Sequence, residues 1–567
     1  MALVVPAALY VFALTYLYGS AAVVCLDRLL ARENRQPVPL SLVSITGLIV
    51  LAVIAGYLSL FMPIALAANL VVSLLGIVFL VLTRRDMVRL AREHLNAART
   101  ANRSAFALFL VLCVFVLSET LDRPKVGDAG LYHLQTMKWI ARYGVVPGLG
   151  NLHGMYALNS MWYPLSALFG LTFLGIQSLH IVDGVLFLVV VGFFLGGVTE
   201  ISRGSRTEAS IVKAASIPFV LFAYAAHVGS LSTDLPVAVL VWVAFIVCLE
   251  YLGAERTFRS RTIGAVLAAL IAYTLTVKVA AAPLALLYVY LLYLHVRAKQ
   301  WSDVWLQLGI GLIIVTPWLA RNVVLSGYLL YPFPYIDLWN VDWKIPYQHV
   351  IEDMMVNHGW ARLPDSRWRE SLDMPLWEWV PLWFRLEHVY KLTIAMAFLI
   401  MPAHLTVIAL RARRQRGALG VVDILYLIAC AGIAYWFINA PDPRFGFGFV
   451  FPALIIPATP LFQQVLVRFR RLSLASMVTI LVLYIGYKTY VSLHALPKSM
   501  ALLRSPVAYP IEPLWTERID GVVFYGARTG FCWDAPLPCT PILKPQIRPR
   551  GKSLASGFRI AEGDSTR

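Results

Sequence analysis

Long apolar runs, separated by short polar connectors, recur along almost the whole chain. A helix needs about 20 apolar residues to cross the hydrocarbon core of a bilayer, and about fourteen runs of roughly that length follow one another here. The first run, MALVVPAALYVFALTYLYGSAAVVCL, has neither a basic start nor a small-residue cleavage site. It is therefore typical of a retained first span and not of a signal peptide. The pattern predicts an all-α polytopic membrane protein.

The composition agrees with this class of protein. Of the 567 residues, 59% are hydrophobic and 14% are charged, and the mean hydropathy of +0.71 lies outside the range of soluble domains. The formal net charge of +17 raises the alternative of nucleic-acid binding, but the basic residues stand mainly in short connectors. There they act as topology signals, since Lys and Arg accumulate in cytoplasmic loops. We therefore expect contact with membrane lipids and no nucleic-acid partner.

The basic connectors also predict the orientation of the chain. The segment TRRDMVRLAREHLNAARTANR, residues 83–103, is the most basic connector, so we place it in the cytoplasm. The later basic connectors fall on the same side only if residues 160–177, SMWYPLSALFGLTFLGIQ, do not cross the membrane. The short apolar length of this run and its start at Trp162 and Tyr163 predict an interfacial or half-inserted helix. Both termini then face outward, which in a bacterial inner membrane is the periplasm.

This topology divides the chain into three parts. Residues 1–104 form N-terminal spans with the basic cytoplasmic loop, residues 105–490 form the main transmembrane module, and residues 491–567 form a small outward C-terminal region. The main module contributes two large outward loops, about 119–178 and about 322–388. Polar and aromatic residues gather in these outward pieces, so we expect the functional residues there.

Two cysteines lie close together in the C-terminal region. Cys532 and Cys539 occur in CWDAPLPC, and two thiols at this spacing are expected to pair in an oxidising compartment. The alternative is two unpaired cysteines in a loop. The spacing fits no zinc motif.

The first outward loop contains an ionisable cluster in VGDAGLYHLQTMKWIARYG. Apolar residues after Asp128 recur with helical spacing and stop at Gly144, which predicts an amphipathic helix. Asp128 stands at the N-terminus of this helix, where a carboxylate is stabilised by the helix dipole. It is therefore either a solvated cap or a catalytic carboxylate, and the residues alone leave both open.

Further ionisable residues stand at the outward ends of other predicted spans: Asp234, Lys278, Arg321 and Arg444. Such groups are costly near membrane depth and usually face a cavity or a partner, although snorkelling to the interface is the alternative for each one. Outward cations run against the positive-inside bias, so we expect them to bind an anion. A lipid-linked phosphate suits them, and a nearby carboxylate can act as general base towards an acceptor hydroxyl.

These segments, taken in order, resemble the membrane-embedded GT-C glycosyltransferases, the superfamily that includes aminoarabinose transferases and protein O-mannosyltransferases. The resemblance rests on GDAGLYHLQTMKWIARYGVVP, NSMWYPLSALFGLTFLG and HIVDGVLFLVVVGFFLGGVTEISRG. It continues through STDLP, TVKVAAAP, PWLARNVVLSGYLLYP and PDPRFGFGFVFPALIIP, and covers about residues 105–460. It implies a GT-C-like catalytic module preceded by additional N-terminal spans. It also implies that residues 160–177 do not cross the membrane.

The resemblance implies a role for several residues. Asp128 matches the acidic loop position, implied to be the catalytic base or an acceptor-orienting carboxylate, and Asp234 matches a second outward acidic position. Lys278 and Arg444 match positions implied to contact the donor phosphate. The family often has two adjacent acids where this chain has Asp128 followed by alanine. Because of this departure, Asp122 is a second candidate for the acidic role.

Two residues beside Asp128 are candidate substrate contacts. Tyr132 and His133 follow it in the predicted helix. The alternative for His133 is a neutral histidine on the helix surface. Metal binding by Asp128, His133 and His153 has only loose spacing in its favour, so we expect no metal and no other cofactor.

We therefore expect a membrane-embedded glycosyltransferase that moves a sugar from a polyprenyl-phosphate donor to a glycan, lipid or protein acceptor on the periplasmic side. In the expected mechanism Asp128 takes the acceptor proton, while Lys278, Arg321 and Arg444 stabilise the departing lipid phosphate. A polysaccharide polymerase or ligase, such as one for O-antigen, is the first alternative, and a lipid-linked glycan transporter or flippase is the second. A transporter of this size commonly shows paired repeats, and no convincing internal repeat is present in the sequence.

Overall fold

The computed structural model describes residues 3–30, 37–175, 177–252, 260–385, 388–414, 419–496 and 506–561. Within these ranges the chain is predominantly helical. The α-helices are α1 (Val4–Leu30), α2 (Leu40–Leu58), α3 (Leu66–Arg99), α4 (Arg103–Leu121), α5 (Leu134–Tyr143), α6 (Leu149–Leu152), α7 (Trp162–Leu168), α8 (Val182–Ser202), α9 (Glu208–Tyr224), α10 (Asp234–Tyr251), α11 (Arg261–Val277), α12 (Ala285–Arg297), α13 (Trp301–Ser326), α14 (Tyr347–Arg362), α15 (Glu370–Asp373), α16 (Leu376–Arg385), α17 (His388–Arg414), α18 (Val421–Asn439) and α19 (Pro443–Ala495).

Twelve of the described helices are long and apolar enough to cross a membrane: α1–α4, α8–α10, α12 with the 3₁₀ turn before it, α13, and α17–α19. Their side chains form one large apolar core. The fold is therefore that of a polytopic helical membrane protein, as the sequence predicts.

The run expected to stay out of the bilayer contains only short helices. Within residues 160–177, α7 has seven residues, and a single 3₁₀ turn follows at Thr172–Leu174. Seven helical residues rise only about 10 Å, far less than the bilayer core of about 30 Å. Every residue of α7 is buried among the larger helices. The run therefore contains a short buried helix that is too short to cross a bilayer by itself.

The basic segment 83–103 is helical over most of its length. The sequence suggested a connector there, but α3 continues through it to Arg99. The segment is rich in Arg and Ala and lacks Gly and Pro, so helical propensity carries α3 beyond its apolar part.

The long apolar helices together form a layer, which we call the helical layer. Helix α11 crosses the helical layer as α10 does, although α11 has only 17 residues. Asp234 is the first residue of α10, and Lys278 directly follows the last residue of α11. The side chains of Asp234 and Lys278 form an ion pair. The chain therefore leaves this point through α10 and returns to it through α11.

Helix α19 reverses direction at Phe469. Its 53 residues would extend about 80 Å as one straight helix, but Phe469 has non-helical angles of φ −130° and ψ 26°. Gln463, shortly before the break, donates a hydrogen bond to the carbonyl of Arg206 in the connector between α8 and α9, at 3.0 Å. After the helix, Val507 N donates to the carbonyl of Leu121, at the end of α4, at 2.9 Å. The second half of α19 therefore returns to the face from which the first half started.

A compact layer covers this face, which we call the loop face. It is built from the segment after α4, the segment between α13 and α17, and the chain after residue 506, and it has an apolar core of its own around Trp139, Tyr156, Tyr328, Phe524 and Phe558. Residues after 506 depart from the all-helical expectation. They form two antiparallel two-stranded sheets, β1 (Leu514–Ile519) with β2 (Val522–Ala527) and β3 (Ile547–Pro549) with β4 (Phe558–Ile560).

Helices α1 and α2 approach each other at two glycines. A Cβ on Gly19 would lie 1.9 Å from Val43 O, and a Cβ on Gly47 would lie 1.7 Å from Thr15 O. Both distances are far inside van der Waals contact. Small residues at such crossings let helix backbones pack closely in a membrane.

We expect the Gly47→Ala substitution to destabilise the folded protein by about 1–3 kcal/mol, because the new methyl group must force α1 and α2 apart. The thermal unfolding midpoint in detergent measures the effect. Gly309→Ala in α13 is the control, since a Cβ there meets nothing within 4 Å and alanine favours the helix. Equal midpoints for the two variants would contradict the close packing of α1 and α2.

Candidate functional site

Four ionisable residues from four separate segments meet on the loop face. Arg444 Nη1 lies 2.9 Å from Asp128 Oδ2 and 3.7 Å from Asp234 Oδ2. Lys278 forms an ion pair with the other carboxylate oxygen of Asp234. We call these four residues, together with Asp442 described below, the acid–cation cluster.

The ends of secondary-structure elements position these side chains. Asp128 precedes a π-helical turn, Ala129–His133, and its side chain makes no capping hydrogen bond. Of the two alternatives that the sequence left open for Asp128, the helix cap does not form, because the carboxylate binds Arg444 instead. Asp234 begins α10, where the helix dipole favours a carboxylate, and Lys278 lies in extended conformation between α11 and a 3₁₀ turn.

Two members of the site were missed by sequence reasoning. Asp442 Oδ2 accepts a hydrogen bond from Arg444 Nε at 3.1 Å, and Asp442 Oδ1 accepts one from the backbone N of Arg444 at 3.1 Å. His227 Nε2 lies 3.8 Å from Asp234 Oδ2. The sequence Asp-Pro-Arg could have indicated Asp442. Proline is common as the first residue of a helix, and aspartate is common at the N-cap position directly before it.

The cluster has a buried anchor and a more open outer part. The side chain of Asp234 is 3% exposed, whereas those of Asp128, Lys278 and Arg444 are 27%, 25% and 30% exposed. Lys278 Nζ also lies over the ring of Phe445, 3.6 Å from its centre, which is a cation–π contact. Two cations are thus held in fixed positions while part of each stays accessible.

Carboxylates outnumber cations in the cluster by three to two. Burial raises the pKa of Asp442, an effect that the neighbouring Arg444 opposes. Among the described residues, no group of three or more His, Cys, Asp or Glu side chains is arranged to hold a metal ion. The carboxylates are instead paired with lysine and arginine.

Tyr132 and His133 lie near the charged groups of the cluster. His133 is 2% exposed, so the expectation of a surface histidine is wrong. Burial lowers the pKa of His133 to about 4 and raises the pKa of Tyr132 well above 10, so both side chains are neutral at pH 7. Their rings contact each other edge to face at 4.3 Å, and the ring of Tyr163 lies 5.7 Å from that of His133.

Arg321 lies outside the acid–cation cluster. Its side chain is buried and donates hydrogen bonds to Ser59 Oγ at 2.6 Å and Asn159 Oδ1 at 3.1 Å. The sequence grouped Arg321 with Lys278 and Arg444 because all three are outward cations. The structure separates them, since neutral acceptors occupy the Arg321 guanidinium.

Asp122 also lies outside the cluster. Its carboxylate is 3.7 Å from Lys125 Nζ, and its backbone carbonyl accepts a hydrogen bond from His180 Nε2 at 3.1 Å. The side chain therefore has a cation of its own close by in the chain. Asp128, and not Asp122, contacts a cation from another segment, Arg444.

The second large outward loop, about residues 322–388, flanks the cluster through α16. Trp383 Nε1 donates to the carbonyl of Pro441 at 2.8 Å, next to Asp442. On the same helix Trp379 is buried, whereas Trp377 is 77% exposed. One side of α16 thus packs beside the cluster, and the other presents aromatic surface, as expected of an interfacial helix.

Cys532 and Cys539 form a disulfide, with their Cα atoms 6.1 Å apart. The bond closes a loop that packs against the turn after Asp128.

We expect Lys278→Met to destabilise the protein by about 3 kcal/mol, because the buried carboxylate of Asp234 loses its closer cation. Adding Asp234→Asn should restore part of the loss, since the uncompensated charge is then removed. Denaturant or thermal unfolding in detergent measures both variants. Arg367→Met is the control: in its ion pair with Asp365 the side chains are 42% and 36% exposed, and such surface pairs contribute about 0–1 kcal/mol. If Lys278→Met and Arg367→Met lost the same amount of stability, this would contradict a buried ion pair at Asp234.

No curated protein and no solved structure matches the chain. Residues 1–451 match the family described as Domain of unknown function (DUF8201). The matched region contains all five residues of the acid–cation cluster. Because the match covers well over half of the sequence, the chain belongs to the DUF8201 family.

Proposed function

We propose that this protein is a GT-C-like glycosyltransferase that uses a polyprenyl-phosphate-linked sugar. The observation that carries the proposal is the acid–cation cluster, in which Asp128, Asp234, Lys278 and Arg444 come from four segments and meet on one face of the helical layer. A partly exposed carboxylate beside two partly exposed cations supplies what transfer from a phosphate leaving group requires.

The proposed reaction is a direct displacement at the anomeric carbon of the sugar. A bond forms from the acceptor oxygen to that carbon as the bond from the carbon to the phosphate oxygen breaks, so the configuration inverts. The acceptor proton passes to the carboxylate of Asp128. The electron pair of the broken bond stays on the lipid phosphate, whose charge is stabilised by Lys278 and Arg444.

Asp234 and Asp442 are positioning residues in this mechanism. Asp234 is buried and holds Lys278 and Arg444 on one side, while Asp442 binds Arg444 Nε. A cation fixed by buried or hydrogen-bonded partners needs little reorganisation when charge develops on the leaving group. Arg321 has no part in this step, because its guanidinium binds Ser59 and Asn159.

We further propose fourteen spans with the loop face directed outward, in a bacterial inner membrane. The count adds α11 to the twelve candidate helices and divides α19 at Phe469. The contacts within the cluster support it, because Asp128, Asp234, Lys278 and Arg444 lie on one face only if an even number of spans separates each pair. The arginines of α3 then lie in the cytoplasm, in agreement with the positive-inside bias.

We expect Asp128→Asn to lower the rate constant of sugar transfer by about 10²–10⁴-fold, because the amide cannot accept the acceptor proton. The assay follows transfer in proteoliposomes that contain sugars linked to polyprenyl monophosphate. Asp122→Asn is the matched control, a carboxylate of the same loop outside the cluster, and should keep near-normal turnover. A folded Asp128→Asn variant with normal turnover would refute the assigned role.

The same assay separates the proposed enzyme from a polymerase or ligase. We expect consumption of a monosaccharide attached to polyprenyl monophosphate. Consumption of only a diphosphate-linked oligosaccharide would favour the polymerase or ligase.

The orientation has its own test. We expect a membrane-impermeant thiol reagent to label Thr529→Cys in intact spheroplasts and Thr100→Cys only after lysis, because these exposed positions lie on opposite faces of the helical layer. Labelling is measured by a mass shift on gels, with the native disulfide kept oxidised. The reverse order would place the cluster in the cytoplasm and contradict the periplasmic assignment.

A further inference from the structure

The turn that follows Asp128 is wider than an α-helical turn. Leu134 N donates a hydrogen bond to the carbonyl of Ala129, five residues earlier, which is the π-helical pattern. Turns of this kind are rare inside helices and are frequent at functional sites. The carbonyl of Gly130 accepts a hydrogen bond from a distant residue, Trp533 N, at 2.9 Å. The loop 532–539 thus binds the backbone directly after Asp128.

The same loop makes further contacts along the helix. Gln135 Nε2 donates to the carbonyls of Trp533 and Ala535, at 2.8 and 3.0 Å. Lys138 Nζ forms an ion pair with Asp534 at 2.8 Å and also donates to the carbonyl of Ala535 at 3.0 Å. The loop therefore holds the π turn and the first turn of α5 as one unit.

Gly130 is the point of closest approach between the loop and the turn. A Cβ at Gly130 would lie 2.4 Å from ring atom Cε2 of Trp533. The indole is itself held in place, since it stacks on Tyr509 with an interplanar angle of 23°. Trp533 has φ +41°, a left-handed conformation that favours glycine. The tryptophan keeps this conformation within a loop that the Cys532–Cys539 disulfide closes.

We propose that Trp533 and its disulfide-closed loop are positioning elements of the site, which fix the π turn so that Asp128 faces Arg444. This inference rests on the glycosyl-transfer function proposed above. Among the residues that the structure describes, the Asp128 side chain forms one ion pair within the cluster, with Arg444, so its position depends on the backbone that carries it. Among the described residues, the loop ties this backbone to a distant segment through the hydrogen bond from Trp533 N to the carbonyl of Gly130.

Gly130→Ala tests the proposal because its new methyl group must displace the Trp533 ring. We expect the kcat of transfer to fall by about 10–100-fold with an unchanged donor KM, since Asp128 moves while Lys278 and Asp234 stay in place. Adding Trp533→Gly should restore kcat to within a few-fold of the Trp533→Gly single variant, because glycine leaves room for the methyl group and accepts the positive φ. Gly127→Ala is the matched control, since the nearest atom to its Cβ is 4.0 Å away.

Hydrogen–deuterium exchange gives a readout that does not depend on transfer. The peptide that contains residues 129–135 should exchange faster in Gly130→Ala, and faster in wild-type protein after reduction of the disulfide, than in oxidised wild-type protein. The double variant should return to the rate of Trp533→Gly alone.

The two measurements separate the two proposals. Three results would overturn the positioning role. The first is an unchanged exchange rate in Gly130→Ala, and the second is fast exchange in Gly130→Ala with a normal kcat. The third is a loss of kcat in Gly130→Ala that adding Trp533→Gly does not rescue. The opposite combination is also informative. If Gly130→Ala exchanges fast and Trp533→Gly restores the slower exchange, the loop anchors the turn. If the wild-type protein at the same time transfers no sugar from any polyprenyl-phosphate donor, the glycosyltransferase assignment is overturned.

Discussion

The buried carboxylate of Asp234 is the constraint around which the site is arranged. A charged group that is almost completely removed from water must be paired, or the folded state loses several kcal/mol. Lys278 and Arg444 supply the pairing, yet they arrive from the end of α11 and the start of α19. The ends of α10, α11 and α19 therefore have to meet on one face of the layer. That requirement makes α11 return across the layer, in spite of its 17 residues.

Much of the fold could be predicted from the sequence because the physics involved is local. The apolar length of a span, the basic connectors and the short run 160–177 are each visible within some twenty residues. The grouping of Asp128, Asp234, Lys278 and Arg444 was predictable for a related reason. A charge at the end of an apolar run is expensive wherever it occurs, so several such charges on one face were expected to share partners.

The remaining features depend on contacts between residues far apart in the chain. Arg321 gave the same sequence signal as Arg444, but Ser59 and Asn159 satisfy its guanidinium, and no local pattern names those partners. The ring contact of His133 with Tyr163 likewise joins residues far apart in the chain, and so does the contact of Trp533 with Gly130. The two small sheets after residue 506 are short, and their strands carry no strict alternation of buried and exposed residues that would have predicted them.

The internal pairing of the cluster has a consequence for the proposed reaction. Because carboxylates outnumber cations, Lys278 and Arg444 are engaged before any substrate arrives, and Asp128 accepts a hydrogen bond from Arg444. A carboxylate held in this way is less free to take a proton from an incoming hydroxyl. A donor phosphate that binds Arg444 competes for the same guanidinium protons and releases Asp128 for the acceptor, while Asp442 keeps Arg444 in place through Nε. Binding of the donor and availability of the base are then coupled through one arginine, which disfavours abstraction of a proton in the absence of the sugar.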